Sequence, residues 1–305
     1  MKKIVIYIIL GVLLTIFIVR SNFNFSILTN ISIVDFIYLS LSLFLSYIIT
    51  IYAVKLNFDL YRVKEKFTTI SYITLASSLL NYLPGKAGLI SIGTYLKVKH
   101  KVPINKYIFV NILDYVLVTL MTVIGAVLLL NDKNIRELVF SLDLKTMLFT
   151  LALAVALIIL AYFLAKRTKE IKISAYYITF VKNINIVFQN KFIVLKLSFA
   201  IIIGILFFSL RMYLSFLFTG NEISIYESIL IGIIANLSFF FSFTPGGLGV
   251  KEGMVGGISF LLFGNAEIGI IASLLDRVVN VIWIVILGTY SIKKSERIFK
   301  NEVSK

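Results

Sequence analysis

Eight long apolar stretches joined by short polar loops constrain what this 305-residue chain can fold into. A helix that crosses a bilayer needs about 20 apolar residues. Because 59% of the residues are hydrophobic, a soluble domain could not bury them all. The stretches therefore predict an all-α integral membrane protein. They cover residues 4–19, 33–54, 68–96, 107–130, 146–165, 193–218, 226–263 and 266–290.

The first stretch follows Met1-Lys2-Lys3, as the apolar part of a signal peptide would. No small-residue cleavage site comes after it, so we expect it to be retained as the first span. The chain has no cysteine, which excludes disulfides and cysteine-based metal or redox chemistry. We expect no metal and no cofactor. The one histidine, His100, lies among lysines and is expected to be a solvated loop residue.

The basic residues indicate which loops face the cytoplasm. Five segments (2–3, 55–66, 97–106, 166–196 and 293–305) hold 22 of the 30 Lys and Arg residues, whereas the other loops hold four. Such asymmetry is typical of the positive-inside rule. The net charge of +15 thus reflects membrane orientation, and we expect no nucleic-acid partner. The pattern predicts the cytoplasmic (inner) membrane, with both termini in the cytoplasm.

Two stretches are interrupted by Pro-Gly pairs. Residues 68–96 have basic flanks on both sides, so this segment should enter and leave on the cytoplasmic face. Residues 226–263 lack basic flanks and should return to the outer face, although their first arm is long enough to cross fully. The predicted fold has about six full spans plus two Pro-Gly-broken re-entrant hairpins. We also expect Asp35 and Glu227, near span ends, to cap helices.

The two hairpins resemble each other in sequence. Leu83-Pro84-Gly85-Lys86-Ala87-Gly88-Leu89 aligns with Thr244-Pro245-Gly246-Gly247-Leu248-Gly249-Val250. Asp114 lies 30 residues after the first proline, and Asp276 lies 31 after the second. This spacing predicts an inverted repeat within a single polytopic domain; the alternative is that Pro-Gly breaks match by chance. The organisation is two leading spans in 1–66, a first repeat in 67–165 and a second in 166–305.

The helix breaks and the intramembrane charges form the candidate site. A broken helix frees backbone N–H groups whose dipole suits an anion, and buried charges are functional candidates by default. The competing interpretation is that the charges form internal ion pairs between helices, and that Lys86 and Lys251 extend to an interface. The candidate substrate-binding or translocation residues are Pro84, Gly85, Lys86, Gly88, Asp114, Arg211, Pro245, Gly246, Gly247, Gly249, Glu252, Asp276 and Arg277.

These motifs resemble those of the lysylphosphatidylglycerol synthase transmembrane family, whose members are often described as flippase-like. The resemblance covers most of the chain and rests on Leu83–Gly88, Thr244–Gly253 and Leu274–Arg277. It implies a membrane region that moves an aminoacylated phospholipid or a polyprenyl-linked sugar. The chain departs from the family pattern in its first half, where Leu89, Val110 and Asn111 stand at positions that usually carry charge.

The resemblance implies a flippase-like protein that translocates an anionic lipid or lipid-linked saccharide and is not an enzyme. Its expected partner is an anionic phospholipid or a polyprenyl-phosphate-linked sugar. The alternative is a non-transporting membrane partner in envelope polysaccharide or glycolipid synthesis, associated with a glycosyltransferase or other envelope-synthesis proteins. A membrane-embedded transferase is disfavoured because the chain offers no His/Asp/Glu cluster and only short loops. A small-ion channel or symporter is a further alternative.

Overall fold

The computed structural model describes residues 31–83, 86–129, 137, 187–238 and 245–303. These residues form α-helices joined by turns, with no strand among them. The predicted spans at 4–19 and 146–165 lie outside the described residues. The helices are α1 Ile33–Leu60, α2 Phe67–Leu80, α3 Ala87–His100, α4 Ile104–Leu129, α5 Lys191–Phe218, α6 Ile225–Leu237, α7 Val250–Phe263 and α8 Ala266–Val303, with a 3-10 turn at Pro245–Gly247.

Four helices are long and apolar enough to cross a membrane: α1, α4, α5 and the Ala266–Ser295 part of α8. Large apolar side chains cover their outer surfaces, such as Phe192 at 70% and Leu128 at 62% exposure. An apolar exterior of this kind is stable in lipid and not in water. The predicted all-helical, multi-pass membrane protein is therefore confirmed, and these four helices correspond to four of the predicted full spans.

Two helices begin with reciprocal side-chain caps, as their sequences predicted. Ser32 Oγ accepts from the Asp35 N–H at 3.1 Å, and Asp35 Oδ2 accepts from the Ser32 N–H at 3.0 Å. Ser224 and Glu227 form the same box at the start of α6. Each box satisfies backbone donors that a helix start leaves unpaired, so each of these helices begins at a defined residue.

Helices α2 and α3 form a hairpin whose outer ends lie side by side. Glu65, just before α2, accepts from Tyr95 at 2.6 Å and contacts Lys99 Nζ at 2.6 Å and His100 Nε2 at 3.0 Å, all near the end of α3. Each helix has 14 residues, about 21 Å, which is shorter than the roughly 30 Å hydrocarbon core. The prediction of a solvated His100 is wrong, because the hairpin places this residue against Glu65.

Helices α6 and α7 form the second hairpin. The ring of Phe263, at the end of α7, lies 6.4 Å from that of Phe216, which is near the end of α5. Because only residues 219–224 separate α5 from α6, the end of α5 and the start of α6 lie at the same end of the bundle. The Phe263–Phe216 contact places the end of α7 there too. The two arms have 13 and 14 residues, again too short to span a bilayer separately.

The apolar core is divided between the two ends of the bundle. One cluster joins the C-terminal half of α1 to α3, α4 and the start of α5, and includes Phe58, Leu96 and Val110. At the opposite end, α5, α6, α7 and α8 contribute a second cluster around Met212 and Ile231. A third cluster packs the start of α1 against α8.

Gly88 sets how closely the arms of the first hairpin approach. A Cβ at this position would lie 1.9 Å from the Ser77 backbone oxygen and 2.6 Å from Asn81 Oδ1. We expect G88A to destabilise the protein by about 1–3 kcal/mol, because the arms must separate. The measurement is thermal unfolding in detergent. The matched control is G257A, where nothing lies within 4 Å; equal melting temperatures for the two variants would contradict this prediction.

Glu65 makes the stability of the first hairpin depend on pH. Burial opposes its ionisation, but hydrogen bonds from Lys99, Tyr95 and His100 outweigh that effect and hold the pKa of Glu65 below its ordinary value. A lowered pKa stabilises the fold above the ordinary glutamate pKa of 4.5, and the contribution disappears as the pH falls through the folded-state value.

We expect E65Q to unfold at a lower temperature than wild type, with a loss of about 1–3 kcal/mol at neutral pH. The gap in melting temperature should begin to narrow below about pH 4.5, where the unfolded chain takes up the proton, and should close once the pH has passed the lowered folded-state pKa, because the wild-type carboxylate is then protonated in both states. Circular dichroism melts from neutral to acidic pH measure this gap. The control is E222Q at an exposed position. A gap that does not change with pH would refute the role of the Glu65 charge.

Candidate functional site

The tips of the two hairpins touch each other. The Gly246 N–H donates to the Asn81 carbonyl oxygen at 3.1 Å. The ring of Tyr82 lies against Gly246, where a Cβ would approach Tyr82 Cδ1 to 2.6 Å. Gly246 also has a φ of +61°, a conformation that favours glycine. The Pro245-Gly246-Gly247 turn therefore also lies in close contact with the first hairpin.

Arg277 on α8 binds the backbone of the second tip. Its Nη1 donates to the Gly246 carbonyl at 2.9 Å, its Nη2 donates to the Gly247 carbonyl at 3.2 Å, and its Nε donates to Glu252. A break in a helix leaves such carbonyls without their usual partners, and in an apolar environment each must be satisfied by protein. The planar guanidinium can reach two carbonyls and a carboxylate at once.

Glu252 caps the start of α7. Its Oε2 accepts from the Gly249 N–H at 2.9 Å, and the side chain is buried. The negative charge also lies at the positive end of the helix dipole. The sequence led us to expect N–H groups here that were open to an anionic ligand. In the structure Glu252 takes the Gly249 N–H, because it stands three residues into the helix at the reach of a capping box.

Asp276 joins two cations from different helices. Arg211 on α5 donates through Nε to Asp276 Oδ1 at 2.7 Å, and Lys251 Nζ on α7 lies 2.5 Å from Oδ2. Asp276 is 2% exposed and Arg211 is 6% exposed. Both cations lie 5.3 Å from the ring centroid of Phe208. Lys251 thus faces the bundle interior and does not extend to an interface.

The charges of the second half-site therefore form two neighbouring groups. Three cations (Arg211, Lys251 and Arg277) and two carboxylates (Asp276 and Glu252) leave a formal charge of +1. Ion pairing between helices, one of the two interpretations of the sequence, is what the structure shows for these residues. Although adjacent in sequence, Asp276 and Arg277 contact different partners.

Three polar side chains that the sequence did not single out complete this region. Tyr47 on α1 donates to Asn280 Oδ1 at 2.6 Å, and Asn280 Nδ2 lies 3.3 Å from the Tyr82 hydroxyl. Asn280 follows Asp276 by four residues on α8, so helical periodicity could have identified it. Tyr82 stands just before the first break. Nothing in the sequence marks Tyr47, since its role depends on the rotation of α1.

One contact of the second half-site has a positional counterpart in the first. Lys86 Nζ lies 6.0 Å from the ring centroid of Tyr115; by the repeat alignment these positions correspond to Gly247 and Arg277, which also contact each other. Lys86 precedes α3 in a left-handed conformation, with φ +54°. Asp114 accepts from Asn57 Nδ2 at 2.6 Å. Pro84 and Gly85 lie outside the described residues.

The comparison with protein families matches this arrangement to a membrane region. A family model described as the lysylphosphatidylglycerol synthase TM region matches residues 4–288. The chain belongs to this family. The match includes both hairpins and every candidate residue, so the expected family is confirmed. Comparisons with curated proteins and with solved structures each found no match.

Asp276 should be the most stability-sensitive acid of the site. Replacing it by asparagine leaves Arg211 and Lys251 buried without a counter-charge, and we expect D276N to lose about 3–5 kcal/mol. Thermal unfolding of purified protein measures the loss. The matched control is D59N, which removes a half-exposed pair with Lys55 worth about 0–1 kcal/mol. Equal melting temperatures for D276N and D59N would show that the buried ion pairs do not stabilise the bundle.

Proposed function

We propose that this chain is a flippase-like membrane protein that translocates an anionic lipid or lipid-linked saccharide across the cytoplasmic membrane without catalysing a covalent reaction. One observation carries the proposal. Two broken helices meet at their tips, beside a buried group of charges with a net charge of +1, inside a bundle with an apolar exterior. Membership of the lysylphosphatidylglycerol synthase TM region family supports it.

Two energetic penalties argue against a purely structural role for the buried charges and the helix breaks. Irregular backbone at membrane depth is tolerated only where protein or water satisfies it, and intramembrane charges are expensive and usually serve function. A chain in which α6 and α7 formed one continuous helix, with apolar residues at the charged positions, would avoid both penalties. A phosphate headgroup offers the charge and geometry to replace a carboxylate beside Arg277 or Arg211, because guanidinium binds phosphate and carboxylate alike.

The proposed membrane arrangement follows from the loop charges. Six full spans cross the bilayer, the first hairpin enters from the cytoplasm, and the second enters from outside, with both termini in the cytoplasm. In this arrangement the touching tips lie near the middle of the membrane. A headgroup at that depth could be reached from either face after a modest movement of one hairpin.

A second candidate function is a non-transporting partner in envelope polysaccharide or glycolipid synthesis, bound to a glycosyltransferase. Each cation and carboxylate in the second half-site already has a partner, which favours a structural role for that group. The first half also lacks acids or cations at Leu89, Val110 and Asn111. Co-purification with a glycosyltransferase, together with no lipid movement, would support this candidate over the first.

Arg277 is the position at which to test translocation. In proteoliposomes containing fluorescent phosphatidylglycerol or a polyprenyl-phosphate probe, we expect R277K to reduce the translocation rate about tenfold or more. Lysine keeps a charge for Glu252 but loses the fork that holds both tip carbonyls, and tenfold corresponds to about 1.4 kcal/mol. The control is K293A, an exposed cation on the same helix.

Folding is checked in the same samples by thermal unfolding and gel filtration. Wild-type rates for both R277K and R277A would remove the second tip from the lipid path. No movement of any anionic probe by folded wild-type protein would reject translocation of these lipids and favour the non-transporting partner.

A further inference from the structure

Asp114 and Asn57 form a half-buried pair that contains two buried, unused acceptor atoms. Asn57 Nδ2 donates to Asp114 Oδ2 at 2.6 Å, joining α1 to α4. Asp114 Oδ1 and Asn57 Oδ1 are both buried, and neither has a hydrogen-bond partner in the described part of the chain. Buried polar atoms are nearly always paired, so two orphans in one pair require an explanation. Both are acceptors, and what they lack is a donor.

The corresponding acid of the second half shows how a buried carboxylate is paired in this bundle. Asp276 is held by Arg211 and Lys251. In each half, the helix that precedes the hairpin supplies a partner for the acid that follows the hairpin. Arg211 is the partner of Asp276, and Asn57 is the partner of Asp114. Among the residues that the structure describes, no Lys or Arg forms an ion pair with Asp114. An amide offsets far less of the charge of a buried carboxylate than a guanidinium does.

The other ionisable groups around Asp114 do not replace that cation. Tyr61, Tyr107 and Tyr115 lie within electrostatic reach of it. Lys86 Nζ lies over the Tyr115 ring. Among the described residues, no charged side chain on a helix that contacts α4 forms a hydrogen bond or ion pair with Asp114. These side chains include Lys55 and Asp59 on α1, which pair with each other, Lys97, Lys99 and His100 on α3, Lys191, Lys196 and Arg211 on α5, and Glu227 on α6.

We propose that Asp114 and Asn57 form a proton-binding site, at which Asp114 takes up and releases a proton during lipid translocation. Uptake forms one O–H bond on the carboxylate with a proton from water, and release breaks it, with no change of oxidation state. The bound proton supplies the donor that the pair lacks, while Asn57 offers one acceptor still unused. The part that concerns coupling to lipid movement rests on the proposed function.

A metal ion fits the same atoms poorly. Calcium takes six to eight oxygen ligands, whereas this pair offers two orphan oxygens. The described residues contain no group of three or more His, Cys, Asp or Glu that could hold a metal. A proton needs a single acceptor, which one buried carboxylate provides.

The first experiment detects the proton directly and does not depend on transport. Infrared difference spectra of the whole protein in liposomes, recorded between about pH 5 and pH 9, should show the C=O stretch of a protonated carboxylic acid in a membrane environment. D114N should lose one such band, whereas D35N, at an exposed helix cap, should keep it. Absence of any band specific to Asp114 across this range would overturn the proton site. If sodium removed this band at constant pH, the site would bind a sodium ion in place of the proton, and that result would also overturn the proposal.

The second experiment tests coupling. With a fluorescent phosphatidylglycerol probe, an imposed gradient of two pH units should change the wild-type initial rate at least about threefold relative to symmetric pH, since protonation of a titrating acid varies up to tenfold per unit. In D114N the rate with a gradient should equal the rate without one. D35N should respond as wild type does.

The two failures can be told apart. If the wild-type translocation rate did not change with the pH gradient, the coupling would be overturned and the proposed function would stand. No translocation by wild type under any condition would overturn the proposed function, and with it the coupling, while the infrared band would still decide whether Asp114 binds a proton. Gradient-dependent translocation that persists in D114N would assign the coupling to another residue and overturn the proposal.

Discussion

The structure depends on how the backbone released at the second helix break is satisfied. Arg277 takes the carbonyls of Gly246 and Gly247, Glu252 takes the N–H of Gly249, and Asn81 of the other hairpin takes the N–H of Gly246. In an apolar environment each of these groups would otherwise cost several kcal/mol. The charged side chains are therefore part of what allows α6 and α7 to be separate helices, and their burial follows from the break.

The surroundings of the two hairpins differ in charge. In the second half, the acid after the hairpin is held by two cations, and an arginine and a glutamate secure the tip. In the first half, an amide faces the acid, and a lysine stacked on Tyr115 stands in for the arginine contact. A paired acid keeps its proton state, whereas an acid without a cation can change it. We therefore propose different tasks for the two halves: the second fixes the architecture, and the first takes up and releases a proton.

The sequence predicted the features that depend on local pattern. Apolar length located α1, α4, α5 and α8, Pro-Gly pairs located the breaks, and acids near helix starts located the caps. Contacts that depend on helix rotation were beyond it: Tyr47 and Asn280 are 233 residues apart, and Arg211 and Asp276 are 65 apart. The error at His100 has the same origin, because only the closed hairpin brings Glu65 beside it. Glu252 was recognised as a buried charge, but its capping role required the start of α7 to be known.

The contact between the hairpin tips limits how this molecule can change shape. One backbone hydrogen bond and the Tyr82 ring lock Asn81 and Gly246 together, and a side chain at Gly246 would have no room. Neither hairpin can slide past the other without breaking that lock. In the translocation that we propose, a movement that opens a route to one leaflet therefore either carries both hairpins as a single rocking body or shears the tips apart. In the second case the contact between the tips opposes the movement.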